Sequence, residues 1–465
     1  MKWGAIVDDR TIGIQLLIAI SQKIFGEKIF AIYIPSIFFG LLMIFFTYEL
    51  HKELTKKPFA IVSPIILSTT YLWINYFHMA TQDIIFASLI TLGIFASIKS
   101  YKTKKNSYLF LSGVWIGLAV MMKTYLVIIP LIAILPFLWK TKIIKNIYFW
   151  IGSFFGFLPF LIWSIQIIII NGWETYSGLY RKLLFLSEQN VFTNPIYYYL
   201  WNFILNCLPW SIFIIFGFIQ ISKSKDKLAN YFLLKYPLFI LFLLSLFSSK
   251  TPYYPLQIVS LTSINAFLGI NYVLSKKETI SRIFSKFLFS IIPIFLLSLA
   301  LYLNINKSIF EIEKNYFIFI NIIMISSSIS LLCIRFAKTI KAKFILILIG
   351  PYLLTSIAVQ SGLLNDRSKE IRIEAQNIIN DQNLNYKKVE IITRGLQDEY
   401  ATKKIIKLAI FMPKLGNGIS NIQDLEINQY AWIALQDGES IDKDKFKILH
   451  NSKNLYPWKL VKKIY

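Results

Sequence analysis

Asp83, in His78-Met79-Ala80-Thr81-Gln82-Asp83, is the only acidic residue between Glu53 and Glu174, and it stands where one long apolar segment ends and the next begins. A carboxylate at a membrane boundary is expensive to desolvate, so its presence in a stretch otherwise free of acids marks a candidate site. Lys123 and Lys250 share that placement. Lys123 lies in Met121-Met122-Lys123-Thr124-Tyr125, between two apolar segments that almost touch. Lys250 lies in Ser248-Ser249-Lys250-Thr251-Pro252-Tyr253-Tyr254-Pro255, where two prolines impose an extended or turned backbone. A cation held at headgroup depth with no acid beside it in sequence suits an anionic partner, and a phosphate meets it through charge-assisted hydrogen bonds. Taken singly, each lysine is equally well read as a snorkelling side chain, with Tyr253 and Tyr254 as interfacial anchors. Arg181, in the long polar stretch after Ile170, is a further cation on the same side.

The elements that must position these residues follow from composition. The chain has 465 residues, of which 56% are hydrophobic and 16% aromatic, with mean hydropathy +0.57. That makes it an α-helical polytopic membrane protein. Runs long enough to cross about 30 Å of hydrocarbon predict about twelve spans. They fall at 29–50, 58–77, 84–100, 107–122, 125–139, 147–170, 196–221, 231–248, 254–275, 287–305, 316–334 and 344–362.

The net charge of +24 is spread over alternate loops rather than gathered in one patch, which argues against nucleic acid as partner. Lys52, Lys56 and Lys57 occupy one such loop; Lys99, Lys102, Lys104 and Lys105 the next; Lys140, Lys142 and Lys145 the one after, and so on to Arg335–Lys343. These loops are predicted to be cytoplasmic, so Asp83, Lys123, Lys250 and the C-terminal hundred residues are expected outside. With that sidedness the N-terminus is also outside. The expectation is that an upstream span and its following outer loop are missing, or that 11–26 inserts as a short tilted span. In that segment Ile12, Leu16, Ala19 and Ile20 share one helix face, which predicts an interfacial helix.

Cys207 and Cys333 fall inside predicted spans and the three histidines are scattered, so neither a disulfide nor a metal site is expected. No cofactor is required; divalent metal is compatible but not indicated, since lysine and arginine can supply the positive charge. After Leu363 the composition turns polar. Helical periodicity at 366–380 and 398–409 and strand-like stretches at 388–393, 430–435 and 457–464 predict a small α+β domain. Gly416 and Gly418 are read as a turn.

The segment Glu27 to Leu50, the turn Ala80-Thr81-Gln82-Asp83, Gly113 to Lys123 with Pro130, Pro209-Trp210 after Tyr197-Tyr198-Tyr199, and Ser249 to Pro255 form an ordered set. In that order the chain resembles the GT-C membrane glycosyltransferases of the aminoarabinose-transferase and protein mannosyltransferase type, over roughly residues 9 to 275. The organisation this implies is an outer-face interfacial segment at 1–28, a GT-C-like catalytic core at 29–275, additional helices at 276–362 and a soluble extracytoplasmic domain at 363–465. The resemblance implies transfer of a sugar, with inversion, from a polyprenyl-phosphate donor to a glycolipid, glycan or protein acceptor on the outer face of a plasma or bacterial inner membrane. Asp8 and Asp9 lie where the family has an acidic residue followed by Lys-Pro-Pro, here replaced by Arg10-Thr11-Ile12. The catalytic candidates are therefore Asp83, Asp9 and Asp8; Lys123, Lys250 and Arg10 are the donor-phosphate candidates; Tyr253, Tyr254 and Arg181 are the substrate or lipid contacts. The alternatives are a transporter or lipid flippase, for which Gln166 and Lys235 are the nearest candidates, and an inactive transferase relative.

Overall fold

In this computed structural model the described residues are 11–26, 28–188, 193–275, 277–306, 314–360, 369–397, 399–412, 414, 416–435 and 441–465. The chain divides into two compact units at Leu364 and Asn365.

The first unit is helical throughout. Its elements are α1 (Gly13–Phe25), α2 (Ile29–Thr55), the short α3 (Val62–Ser68) and α4 (Tyr71–Phe77), α5 (Gln82–Thr103), α6 (Asn106–Lys123), α7 (Ile128–Lys140) and α8 (Ile147–Glu188). They continue with α9 (Tyr198–Asn206), α10 (Ser211–Ser222), α11 (Lys227–Asn230), α12 (Tyr236–Leu246), α13 (Val259–Ser275), α14 (Thr279–Lys286), α15 (Ile292–Ile305), α16 (Lys314–Cys333) and α17 (Ile340–Gln360). Single π-turns join α11 to α12 and α14 to α15. Helices prevail because a chain in hydrocarbon must satisfy every backbone group internally.

Among the described residues, eight helical runs are long and apolar enough to cross a membrane, nine if the pair α9 and α10 is counted as one span bent by 113°. The expected spans at 58–77 and 316–334 are not among these, and those at 107–122 and 125–139 fall within one run, Asn106–Lys140; side-chain registers show how the chain runs through 58–77 and through that run. Ser36 Oγ donates to Thr81 O, Phe46 packs on Phe95, and Glu53 pairs with Lys99 and Lys102, so α2 and α5 run the same way. Residues 58–77 must therefore carry the chain back, and do so as α3 and α4. The break between them is made by Thr69 and Thr70, whose hydroxyls bond back to Ile65 O (2.8 Å) and Ile66 O (2.7 Å). Similarly, Gly152 lies against Phe110 and Gly156 against Val114, so α6 and α8 are parallel. The helical run Asn106–Lys140 must reverse, and the reversal is at Thr124 (φ 41°, ψ −113°).

Two features make this bundle tight. Gly113 and Gly117 of α6 face Gly152 and Gly156 of α8 at backbone contact, so the two helices approach to a distance that any Cβ would prevent. The break in α3–α4 also mates with the break in α9–α10, where Pro209 interrupts the helix. There the Tyr71 amide donates to Leu208 O (3.0 Å) and Trp210 Nε1 donates to Thr69 Oγ1 (3.0 Å). Each broken helix thereby satisfies groups of the other, as irregular backbone within a membrane requires.

Helix α1 packs through Gly13, Ile14 and Ser21, with Ser21 Oγ donating to Ala31 O (2.7 Å), while Ile12, Leu16 and Ile20 are exposed. An apolar face turned away from protein fits an interfacial helix and a short tilted span alike.

The second unit is a four-stranded sheet of order β1-β2-β4-β3, comprising β1 (Val389–Ile391), β2 (Tyr430–Ala434), β3 (Phe446–His450) and β4 (Trp458–Lys463). Strands β1 and β2 are parallel, and the other pairings are antiparallel. Helices α18 (Lys369–Asp381) and α19 (Glu399–Phe411) supply Ile378, Ile405 and Leu408 to a core with Trp432, Trp458 and Leu460. Strand β3 was not expected: its exposed Lys447 and Ile448 break the alternation that marks a half-buried strand. Gly416 and Gly418 continue alongside β1, with the Gly416 amide on Val389 O (2.8 Å) and that of Gly418 on Glu390 Oε2 (3.1 Å).

Candidate active site

Helices α5 and α6 are antiparallel neighbours joined by the turn at Lys104 and Lys105, so the start of one meets the end of the other. Asp83 lies in the first turn of α5 and Lys123 in the last turn of α6, positions where the helix dipole favours an anion and a cation respectively. Asp83 Oδ1 and Lys123 Nζ form an ion pair. Both side chains are largely dry, 12% and 6% exposed.

The walls are aromatic. Lys123 Nζ lies 4.8 Å from the ring centre of Tyr253, 5.3 Å from that of Tyr254 and 5.7 Å from that of Phe86. Rings at this range attract a desolvated ammonium through their quadrupole. A small cleft is lined by Asp83, Phe86, Lys123, Tyr253, Tyr254 and Gln257. Asp83 Oδ1 is met by Lys123, and among the described residues Gln257 Oε1 in the cleft and Thr81 Oγ1, two residues before Asp83, are buried without a hydrogen-bond partner. Both oxygens can accept from a polar group or water that enters the cleft.

Lys250 is also buried, but its ammonium is engaged elsewhere. It donates to Asn194 O (2.8 Å) and Phe247 O (2.6 Å), while Asn194 Nδ2 donates back to Lys250 O (3.1 Å) and the Tyr199 hydroxyl donates to Thr251 O (3.0 Å). These bonds pin the segment 247–251 to 194–199, and the turn that follows delivers Tyr253 and Tyr254 to Lys123. Two of the three ammonium N–H groups are thereby spent on carbonyls.

The fold therefore brings Asp83, Lys123, Tyr253 and Tyr254 together, with Lys250 bracing the segment that carries the tyrosines. Asp8, Asp9 and Arg10 lie outside the described residues. Thr11, next in the chain, donates its hydroxyl to Met122 O (3.2 Å), beside Lys123. Arg181 belongs to α8, beyond the kink at Gly172 (φ 79°), and its side chain is outside the described set.

Phe86, Gln257, Thr81 and Tyr199 were not anticipated. Phe86 had a usable signal, since it lies three residues after Asp83 on the same helix face. Gln257 had another, as the single polar residue of Leu256-Gln257-Ile258-Val259. Among the described residues, no group of three or more His, Cys, Asp or Glu side chains could hold a metal ion.

Residues 9–164, which contain both members of the buried pair, match the dolichyl-phosphate-mannose-protein mannosyltransferase family. The structure is similar to that of ArnT from Cupriavidus metallidurans bound to undecaprenyl phosphate, with a TM-score of 0.71 at 12% identity over 98% of this chain and 88% of that one. The apo form gives 0.67. This chain has a GT-C-type membrane fold. By sequence it is 27% identical over 250 residues to the undecaprenyl phosphate-alpha-4-amino-4-deoxy-L-arabinose arabinosyl transferase of Wigglesworthia glossinidia brevipalpis, covering 51% of this chain and 44% of that one. It is 23% identical over 306 residues to an uncharacterized protein of Aquifex aeolicus, covering 64% and 59%. The matches thus span about half the length of these relatives. In this GT-C-type chain, the polar cleft stands at the end of the bundle opposite the Glu53, Lys99 and Lys102 cluster.

Proposed function

We propose that the protein transfers a sugar from a polyprenyl-phosphate donor to a hydroxyl of a lipid, glycan or protein acceptor at the Asp83 and Lys123 end of the bundle. We assign that end, and the C-terminal unit, to the outer side of a plasma or bacterial inner membrane, because the opposite end carries the lysine-rich loops. The observation that carries the reading is the dry ion pair of Asp83 and Lys123 walled by Phe86, Tyr253 and Tyr254, within the region that matches the mannosyltransferase family.

In this mechanism the acceptor oxygen forms a bond to the anomeric carbon as the bond from that carbon to the phosphate oxygen breaks. The acceptor proton passes to a carboxylate, for which Asp8 and Asp9 are the candidates. The electron pair of the broken bond leaves with the polyprenyl phosphate, whose charge is met by Lys123, with Arg10 and the remaining N–H of Lys250 as further donors. Asp83 holds Lys123 in place and orients the acceptor. Tyr253 and Tyr254 keep water from the ammonium, which strengthens its field on the leaving group.

The test is release of undecaprenyl phosphate from undecaprenyl-phosphate-linked 4-amino-4-deoxy-L-arabinose or mannose by the full chain in lipid nanodiscs containing bacterial envelope lipid. Lys123→Met and Asp83→Asn are expected to lower the rate by about a hundredfold or more. Folded variants that keep full activity would overturn the assignment.

A further inference from the structure

We propose that the C-terminal unit carries a binding site for an anionic saccharide, a sugar bearing phosphate or carboxylate, on the β1-β2-β4 end of its sheet. This site is separate from the transfer reaction and does not depend on it.

A row of side chains crosses the sheet here. Tyr430 of β2 is paired with Lys462 of β4, which is paired in turn with Lys447 of β3. On the other side of Tyr430, Lys387 donates its ammonium to the tyrosine hydroxyl (3.0 Å) and lies 4.9 Å from the ring centre, while Lys462 lies 5.8 Å from it. Cross-strand partners share a face, so Tyr430, Lys462 and Lys447 line up on one surface, and like charges directly opposite each other destabilise a sheet. Lys387, Lys447 and Lys462 form no ion pair among the described residues. The nearby carboxylate of Glu390 is taken by Lys388 (2.7 Å) and by the Gly418 amide.

Lysines gathered at one end of the sheet without an acidic partner among the described residues offer an anion several charge-assisted hydrogen bonds. The space available is a cleft of about 480 Å³ lined by Lys387, Lys388, Asn428, Gln429, Tyr430 and Lys462. That volume suits a small ligand rather than a polymer groove, since small-molecule sites run to about 300–1,000 Å³. Between the cations stand groups that match sugar hydroxyls: the phenol of Tyr430 and the amides of Asn428 and Gln429. Gln429 Oε1 is fixed by the Glu426 amide (3.0 Å), which leaves its NH2 to donate. A bare phosphate would use the lysines alone; an anionic sugar uses both sets.

The experiment is calorimetric titration of the full chain, in phosphatidylcholine nanodiscs, with mannose 6-phosphate, inorganic phosphate and mannose. Mannose 6-phosphate is expected to bind at least about tenfold more tightly than inorganic phosphate, with mannose silent. Lys387→Gln and Lys462→Gln should each weaken it about tenfold, and Lys453→Gln, elsewhere on the unit, should leave it unchanged. If Lys462→Gln does not fold, Lys387→Gln, outside the strands, carries the test alone. Equal binding of the two phosphates would mean an adventitious ion only and would overturn the proposal. So would an equal loss with Lys453→Gln, which would show diffuse charge. If the lysines instead confer binding only to nanodiscs containing phosphatidylglycerol, the ligand is a lipid headgroup and the saccharide assignment fails.

Discussion

Helix α5 carries an ion-paired cluster at each end, and the two differ in a way that separates structure from chemistry. At the lysine-rich end Glu53 meets Lys99 (2.5 Å) and Lys102 (2.9 Å), with Lys102 also on Glu53 O (2.6 Å). Those lysines are 23% and 28% exposed, and the loops around them hold a surplus of like charge. At the other end a single carboxylate faces a single ammonium behind three aromatic rings. Pairing is common to both ends and the carboxylates are about equally buried, Glu53 15% and Asp83 12% exposed; the difference lies in the ammonium, 6% exposed at Lys123. A pair whose cations keep contact with water is worth less because water competes for it, whereas a pair dry on both sides must be complete or it leaves a stranded charge.

The sharpest way to break the comparison is at Lys123. Lys123→Met and Asp83→Asn should each destabilise the protein by about 3–5 kcal/mol, because the remaining partner is left buried, as well as lower transfer by about a hundredfold or more. The double variant should recover much of the stability and none of the activity, as read by thermal melting in micelles beside the transfer assay. Next comes the packing that places Lys123. Gly117→Leu should cost about 1–3 kcal/mol or more by forcing α6 from α8, with a fall in activity that tracks the displacement.

Lys250→Met should follow. Losing hydrogen bonds from a charged donor costs about 1.5–3 kcal/mol, and release of the Tyr253 and Tyr254 segment should raise the donor KM more than it lowers kcat. Glu53→Gln should change stability by less than about 1 kcal/mol and leave transfer intact; a large loss there would erase the contrast between the two ends.

The smallest effect concerns Glu278, whose carboxyl is held below its ordinary value of 4.5 by the Lys223 ammonium and then by the Tyr272 hydroxyl. A depressed carboxyl contributes its stability above the unfolded value and loses it as pH falls through the folded one. The link from α10 to α14 should therefore loosen only below about pH 4.5. Glu278→Gln should remove that acid-dependent step in hydrogen exchange of residues 223–230.

Much of the site was legible because membrane chemistry is unforgiving at single positions. Asp83 stood out as the single acid between Glu53 and Glu174, Lys123 gained weight only from sharing its side of the membrane, and Tyr253 and Tyr254 came with the proline-flanked turn. Lys250 looked equivalent to Lys123 in sequence and is not equivalent in space, since its ammonium is held by Asn194 and Phe247 carbonyls. No local pattern announces that, because both acceptors are backbone carbonyls and one of them, Asn194 O, is brought in from 56 residues away. In the second unit, β3 escaped notice for a related reason: its place comes from pairing with β4, not from a buried face of its own.

The sequence by itself determined that this chain spans a membrane, which loops carry the cations and which few ionisable residues lie at the opposite boundary, because hydropathy and charge act residue by residue. Only the tertiary structure decided that Asp83 meets Lys123, that residues 58–77 cross as two mated half-helices and that Lys250 braces rather than joins the pair. Those outcomes depend on the parallel registers of α2 with α5 and α6 with α8, and register is set by contacts between segments distant in the chain.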